Sequence, residues 1–120
     1  MSSPILVVDD DRDIRDSLRE TLEDEGFAAA DVGSGPEALD YLRAHPLTPL
    51  ILLDWNMAPM DGPAFRAAIA AIPELASIPV IVLTADTRVL EKARGSDYAA
   101  CLKKPVNLPR LFALVTRFCR

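Results

Sequence analysis

Five short runs rich in Val, Ile and Leu recur along the chain, each separated from the next by a stretch with helical spacing. This alternation limits the possible folds more than any other feature. The runs are Ile5 to Asp9, Phe27 to Val32, Leu50 to Asp54, Val80 to Thr84 and Ala99 to Lys103. The first, third and fourth are nearly continuous in branched aliphatic residues, as strands covered on both faces must be. Between the runs, Ile14, Leu18 and Leu22 recur every four residues, and Ala38, Leu39 and Leu42 mark a second helix. Ser34 and Glu37 have the spacing of a capping box there, and Pro36 falls in the tolerated first turn. Phe65, Ala68, Ile69 and Ile72 give a third amphipathic pattern, with Asp61 as its expected cap. Val89, Leu90 and Ala93 predict a short fourth helix, and Leu108, Leu111, Phe112, Val115 and Phe118 the last. Strands alternating with helices imply βαβ units joined by right-handed crossovers. The expected fold class is therefore α/β, a doubly wound five-stranded parallel sheet with helices on both faces. At 120 residues the expected organisation is one domain spanning 1–120.

Composition narrows the function classes. Thirteen Lys and Arg against eighteen Asp and Glu leave a net charge of −5, which argues against direct nucleic-acid binding through bulk charge. The apolar runs are too short to cross a bilayer, so no membrane insertion is expected. The start Met1-Ser2-Ser3-Pro4 lacks the basic and apolar regions of a secretion signal. Two cysteines, Cys101 and Cys119, do not make a disulfide framework. A cytoplasmic protein is the expectation.

In an open parallel sheet, ligands bind beyond the carboxyl ends of the strands. The first run ends in Asp9-Asp10-Asp11, the third in Asp54, the fourth in Thr84 and the fifth in Lys103-Lys104-Pro105. If the first, third, fourth and fifth strands are neighbours, carboxylates, a hydroxyl and an ammonium converge on one cleft. Two carboxylates ~5 Å apart repel by about 3 kcal/mol at an effective dielectric of 20. Such a group must take up a proton or bind a cation. Oxygen ligands with no His or Cys nearby select a hard ion, and Mg²⁺ is the natural candidate. Lys and Thr beside it suit a phosphoryl group, so the cleft reads as metal-assisted phosphoryl transfer onto a carboxylate.

Each residue taken alone also has a plainer explanation. Asp10 and Asp11 can cap a helix, Asp54 can serve a turn, Thr84 can be an ordinary strand residue, and Lys104 can be a solvated charge. Asp61-Gly62 reads as a turn and helix start. Four strand ends supplying complementary groups in one register favour the site over these explanations.

The chain resembles the receiver domain of the two-component response regulator family (CheY-like superfamily), from its first strand to its last helix. The motifs that carry the resemblance are Ile5-Leu6-Val7-Val8-Asp9-Asp10, Leu52-Leu53-Asp54 followed by Met60-Asp61-Gly62, Val80-Ile81-Val82-Leu83-Thr84-Ala85, and Lys104-Pro105. The resemblance implies the flavodoxin-like strand order 2-1-3-4-5 and a phosphoacceptor role for Asp54. Asp54 would take the phosphoryl group from a phosphohistidine on a sensor histidine kinase or histidine phosphotransfer protein. Asp10 and Asp54 would hold Mg²⁺ through their side chains and Asn56 through its backbone carbonyl, with Asp9 acting through a bound water. Lys104 would pair with the phosphoryl oxygens, Thr84 would hydrogen-bond one of them, and Ala85 would leave access to the acceptor. A cis bond is expected at Lys104-Pro105.

Three positions depart from the family pattern. Ala58 stands where the family usually has Pro, with Pro59 following it. Trp55, directly after the acceptor, is a large group at the rim. Cys101 stands where the family commonly has an aromatic ring that reports phosphorylation, and Tyr98 is not an obvious substitute. Cys101 is expected to pack as a small hydrophobe, with redox sensing the lesser alternative.

The expected function is a phosphorylation-dependent signalling switch rather than a turnover enzyme. Its responding surface would run from Thr87 to Arg120, over helix 4, strand 5 and helix 5, toward a downstream protein target or output domain. Val89, Leu90, Arg94, Leu102 and exposed parts of the last helix are the candidate contacts. Asn56 and Asp86 would influence water attack on the phosphoryl group. Two rivals remain: an interaction module that works without phosphorylation, kept open by Cys101, and a small haloacid-dehalogenase-type phosphatase with Asp9 as nucleophile.

Overall fold

The computed structural model describes residues 3–55, 60–93 and 98–119, with backbone alone at 92 and 93. Strand and helix alternate as β1 (Ile5–Val8), α1 (Arg12–Asp24), β2 (Ala29–Val32), α2 (Gly35–Ala44) and β3 (Ile51–Asp54). Then come α3 (Gly62–Ala70), β4 (Val80–Thr84), α4 (Thr87–Ala93), β5 (Ala100–Lys103) and α5 (Leu108–Phe118). The strand ends differ slightly from the sequence reading. β1 stops at Val8, and β2, β3 and β5 begin at Ala29, Ile51 and Ala100.

All strand pairs are parallel, and the order is β2-β1-β3-β4-β5, as expected. The continuous apolar character of β1, β3 and β4 has its cause in two cores. Successive strand residues point to opposite faces. Leu6, Val8, Ile51, Leu53, Val80 and Val82 pack on one side with Ala38 and Leu42 of α2, Phe65 and Ile69 of α3, and Val89 of α4. Ile5, Val7, Leu52, Ile81 and Leu83 pack on the other with Leu22 of α1 and Leu111 and Val115 of α5.

The helix starts follow the sequence signals. Asp11 caps α1, its carboxylate accepting from the amides of Asp13 and Ile14. Ser34 caps α2 and Asp61 caps α3, accepting from the amides of Glu37 and Ala64 respectively. Glu37 reaches one residue beyond the expected box, to the amide of Gly33 at 3.0 Å. The end of α1 is a Schellman turn: Gly26 adopts φ 92°, its amide donates to Glu23 O, and the Phe27 amide donates to Leu22 O. Only glycine takes that left-handed conformation at little cost.

Four apolar residues sit differently from their sequence assignment. Ile14 and Leu108, expected on buried stripes, are 44% and 41% exposed. Both lie in the first turn of their helices. Conversely Val89 and Leu102, named as partner contacts, are buried in the two cores, and Leu90 is half-buried. Arg94 lies outside the described residues.

Phe65 is the largest fully buried side chain, and α3 is held to the sheet through it and Ile69. Phe65→Ala is expected to cost about 3–5 kcal/mol, through lost transfer energy and the cavity left behind. A domain with about 5–15 kcal/mol in total would be left marginal. Urea unfolding followed by circular dichroism measures this, and a loss below about 1 kcal/mol would show that α3 repacks without the ring.

Candidate functional site

Sheet register assembles the site. Val8 pairs with Leu53, so the residues that follow them, Asp9 and Asp54, leave adjacent strands side by side. Asp54 is level with Leu83, and Thr84 is level with Lys103. Thr84 therefore emerges one step, and Lys104 two steps, further along the same edge. One oxygen each of Asp9, Asp10 and Asp54 lies within 4.8 Å of the others. Asp9 and Asp54 are buried, and Asp10 is exposed.

The three successive aspartates have three different jobs. Asp11 is the helix cap, so the plain explanation holds for it. Asp9 is fixed on every side: its amide donates to Val32 O, its Oδ1 accepts from the Asp11 amide at 2.9 Å, and its Oδ2 accepts from Lys104 Nζ at 3.2 Å. Asp10 caps nothing and offers its carboxylate to the cluster.

Lys104 Nζ also donates to Asp54 Oδ1 at 3.2 Å, bridging the two buried carboxylates. Burial works to lower the lysine pKa, but the attraction of Asp54, then of Asp9, outweighs it and holds the ammonium above its ordinary value. The lysine backbone is anchored as well, its amide donating to Thr84 O at 2.8 Å, and the Lys104-Pro105 bond is cis, as expected. Thr84 is buried, and its Oγ1 accepts from the Asp86 amide at 3.1 Å, which leaves the hydroxyl proton for another acceptor. Ala85 is exposed beside it.

Three carboxylates face one ammonium among the described residues of this cluster, an excess of negative charge. All the donors are oxygens. This set fits a hard divalent cation that keeps part of its water shell, as Mg²⁺ does. Asn56, Met57, Ala58 and Pro59 lie outside the described residues, so the expected carbonyl ligand of Asn56 and the effect of Ala58 do too.

At the rim, the half-buried Trp55 meets Tyr98 edge to face, with ring centroids 5.7 Å apart. The indole also lies against Gly62, where an added Cβ would come within 3.0 Å of Trp55 Cε3. Tyr98, Trp55 and Cys101 all pack against the same core face. Burial pushes both the Cys101 and Cys119 thiols up from their ordinary pKa, which disfavours the reactive thiolate. Cys101 is thus a small packing residue. Asp86 is already engaged: its carboxylate accepts from the Arg88 amide at 2.9 Å and from Arg88 Nη2 at 3.1 Å.

Sequence reasoning missed Arg15. Its Nη1 donates to the Asp9 carbonyl at 3.2 Å and its Nε to Asp31 Oδ2 at 3.0 Å. The signal was available, since Arg15 stands three residues before Leu18 and seven before Leu22 on the sheet-facing stripe of α1.

A doubly wound 2-1-3-4-5 sheet with an acidic cluster at its carboxyl edge defines a class of small α/β domains built to bind at that edge. Within that class, the response regulator receiver domain family matches residues 5–116, and the chain belongs to it. The chain is 38% identical, over 96% of its length and 88% of the relative's, to an uncharacterized 14.6 kDa protein of Leptolyngbya boryana. It is 36% identical over its full length to response regulator MprA of Mycobacterium bovis, of which it spans about half (52%). The crystal structure of a response regulator receiver protein from Pseudomonas putida superposes with a TM-score of 0.87 at 30% identity, covering 98% of each chain. The domain is thus a receiver of two-component signalling. No helix among the described residues is long and apolar enough to cross a membrane.

Proposed function

We propose that Asp54 accepts a phosphoryl group from a phosphohistidine of a sensor kinase or phosphotransfer protein, and that the resulting aspartyl phosphate switches partner binding. The observation that carries this reading is the placement of Asp54 at the tip of β3, within reach of Asp9, Asp10 and Lys104 at once. An Asp54 oxygen attacks phosphorus, the phosphorus–nitrogen bond breaks, and its electron pair returns to the imidazole. Mg²⁺, held by Asp10, Asp54 and the Asn56 carbonyl with Asp9 reached through water, would neutralise charge on the transferring group. Lys104, already charged and aimed at Asp54, pairs with a phosphoryl oxygen. Thr84 donates its hydroxyl proton to another, and Ala85 leaves room for the group to arrive.

A protein donor suits the surroundings. Ile14 and Leu108, both exposed, flank Lys104 in an open apolar groove of about 570 Å³ between α1 and the start of α5. The output surface is α4, β5 and α5, read by a downstream protein or output domain, and the domain acts in the cytoplasm as a switch rather than a turnover enzyme. Its net charge of −5 disfavours direct nucleic-acid contact. Cys101 favours one second reading, phosphorylation-independent partner binding, because the reporting ring of the family is missing there. The phosphatase reading would need Asp9, whose two oxygens accept from the Asp11 amide and from Lys104 Nζ.

The test is labelling with acetyl phosphate, with Mg²⁺ or with a chelator, followed by peptide mapping. Modification at Asp54 that requires Mg²⁺ is the expected result. Modification at Asp9 would support the phosphatase, and an unmodified chain the interaction module.

A further inference from the structure

Arg15 is seated with unusual care for a residue on a surface helix. Its guanidinium fills the space above Gly33, where an added Cβ would lie 2.9 Å from Nη1. Gly33 does not take a left-handed backbone, so room for Arg15 is what glycine supplies there. Asp31 on β2 holds the guanidinium at 3.0 Å and is also paired with Arg19 at 3.2 Å. From this seat Nη1 donates to the carbonyl of Asp9. That carbonyl belongs to the peptide plane leading into Asp10. Among the described residues no side-chain hydrogen bond holds the Asp10 carboxylate, whose aim therefore depends on the plane that carries it.

We propose that Arg15, clamped by Asp31 over Gly33, is a positioning residue that fixes the Asp9–Asp10 peptide and so aims Asp10 into the acidic site. This deepens the reading above and rests on it for the part Asp10 plays in holding Mg²⁺. Residues behind metal ligands commonly change affinity about 10–100-fold when removed.

The experiment titrates Mg²⁺ into the parent, Arg15→Met, Arg15→Lys, Gly33→Ala and the Arg15→Met/Gly33→Ala double variant. The readouts are emission of Trp55, the only tryptophan, and the amide shifts of Asp10 and Asp11. Arg15→Met is expected to weaken Mg²⁺ about tenfold and to move both amides already in metal-free protein, with Arg15→Lys intermediate. Acetyl phosphate labelling should slow at limiting Mg²⁺ and recover at saturation, a split that general destabilisation would not produce. Gly33→Ala keeps both charges but displaces the guanidinium, so it should act in the same direction in the parent and do nothing further in Arg15→Met. If Arg15→Met fails to fold, Gly33→Ala alone decides. A Mg²⁺ midpoint within twofold of the parent in the decisive variant overturns the proposal. So does an equal effect of Gly33→Ala with and without Arg15, or a parent that ignores Mg²⁺. A parent that binds Mg²⁺ but takes no phosphoryl group at Asp54 overturns the functional reading instead, while the titration still judges Arg15.

Discussion

Asp54→Asn is expected to lose phosphoryl uptake by a factor on the order of 10³ or more, because an amide oxygen is a poor nucleophile and no other carboxylate sits in its place. A like-charge contact at 4.8 Å costs about 3.5 kcal/mol at an effective dielectric of 20, and a Lys–Asp contact at 3.2 Å gains about 5 kcal/mol on the same scale. Among the described residues of the cluster, Asp54 repels two carboxylates, one of them exposed and screened, and attracts Lys104. The two effects nearly cancel, so metal-free stability should change by less than about 1 kcal/mol. Mg²⁺ at 100 times its dissociation constant should stabilise the parent by about 2.7 kcal/mol and the variant by far less. Thermal unfolding with and without Mg²⁺ measures both quantities. Equal Mg²⁺ stabilisation of the two proteins would show that Asp54 is not part of the metal site.

Much of this was legible in the chain. The runs in β1, β3 and β4 announced a sheet covered on both faces, and Asp9, Asp54, Thr84 and Lys104 were legible as strand-end residues. Register alone brings such residues together, and in a parallel sheet register follows from matching apolar stretches. What the sequence could not show were the consequences of where a helix begins relative to the sheet. Ile14 and Leu108 have the right helical phase to be core, yet both stand in the first turn of their helices and are exposed. Val89 and Leu102 illustrate the reverse case, with positions on a responding face of the family but side chains turned inward. Long polar side chains are the other source of surprise. The helical phase of Arg15 sets it on the sheet-facing stripe of α1, but its partner, the Asp9 carbonyl, is visible only in the folded chain. Tyr98 is similar. Its spacing from Lys104 suggests nothing, and only the folded chain sets its ring against Trp55.

That pairing bears on how phosphorylation at Asp54 would be reported. Trp55 is covalently next to Asp54, and its ring contacts Tyr98, two residues before β5 begins. Cys101, where the resemblance leads one to expect an aromatic ring, is a partly buried thiol whose pKa burial pushes up. The Trp55–Tyr98 contact thus joins the tip of β3 to the approach to β5 without involving position 101.

Lys104→Ala is expected to move metal binding and phosphoryl transfer in opposite directions. The lysine is bonded to both buried carboxylates, so its removal leaves Asp9 and Asp54 facing each other without an ammonium between them. Breaking a buried pair costs about 3–5 kcal/mol, and partial exposure of the lysine lowers this to about 2 kcal/mol. The folded-state pKa of Lys104 is raised above 10.5, so its stabilisation is fully present below pH 10.5 and fades only as pH rises beyond that value. The gap between parent and variant should thus stay flat across neutral pH. Uncompensated carboxylates attract a divalent cation more strongly, so Mg²⁺ should bind about tenfold tighter in the variant. Phosphoryl uptake at saturating Mg²⁺ should nevertheless fall about 10²–10³-fold, because the lost donor served the charge developing on the transferring group. Calorimetric Mg²⁺ titration and acetyl phosphate labelling measure the two sides. Weaker Mg²⁺ binding in Lys104→Ala would mean that the lysine organises the acidic cluster, and that the phosphoryl oxygens are met by some other group.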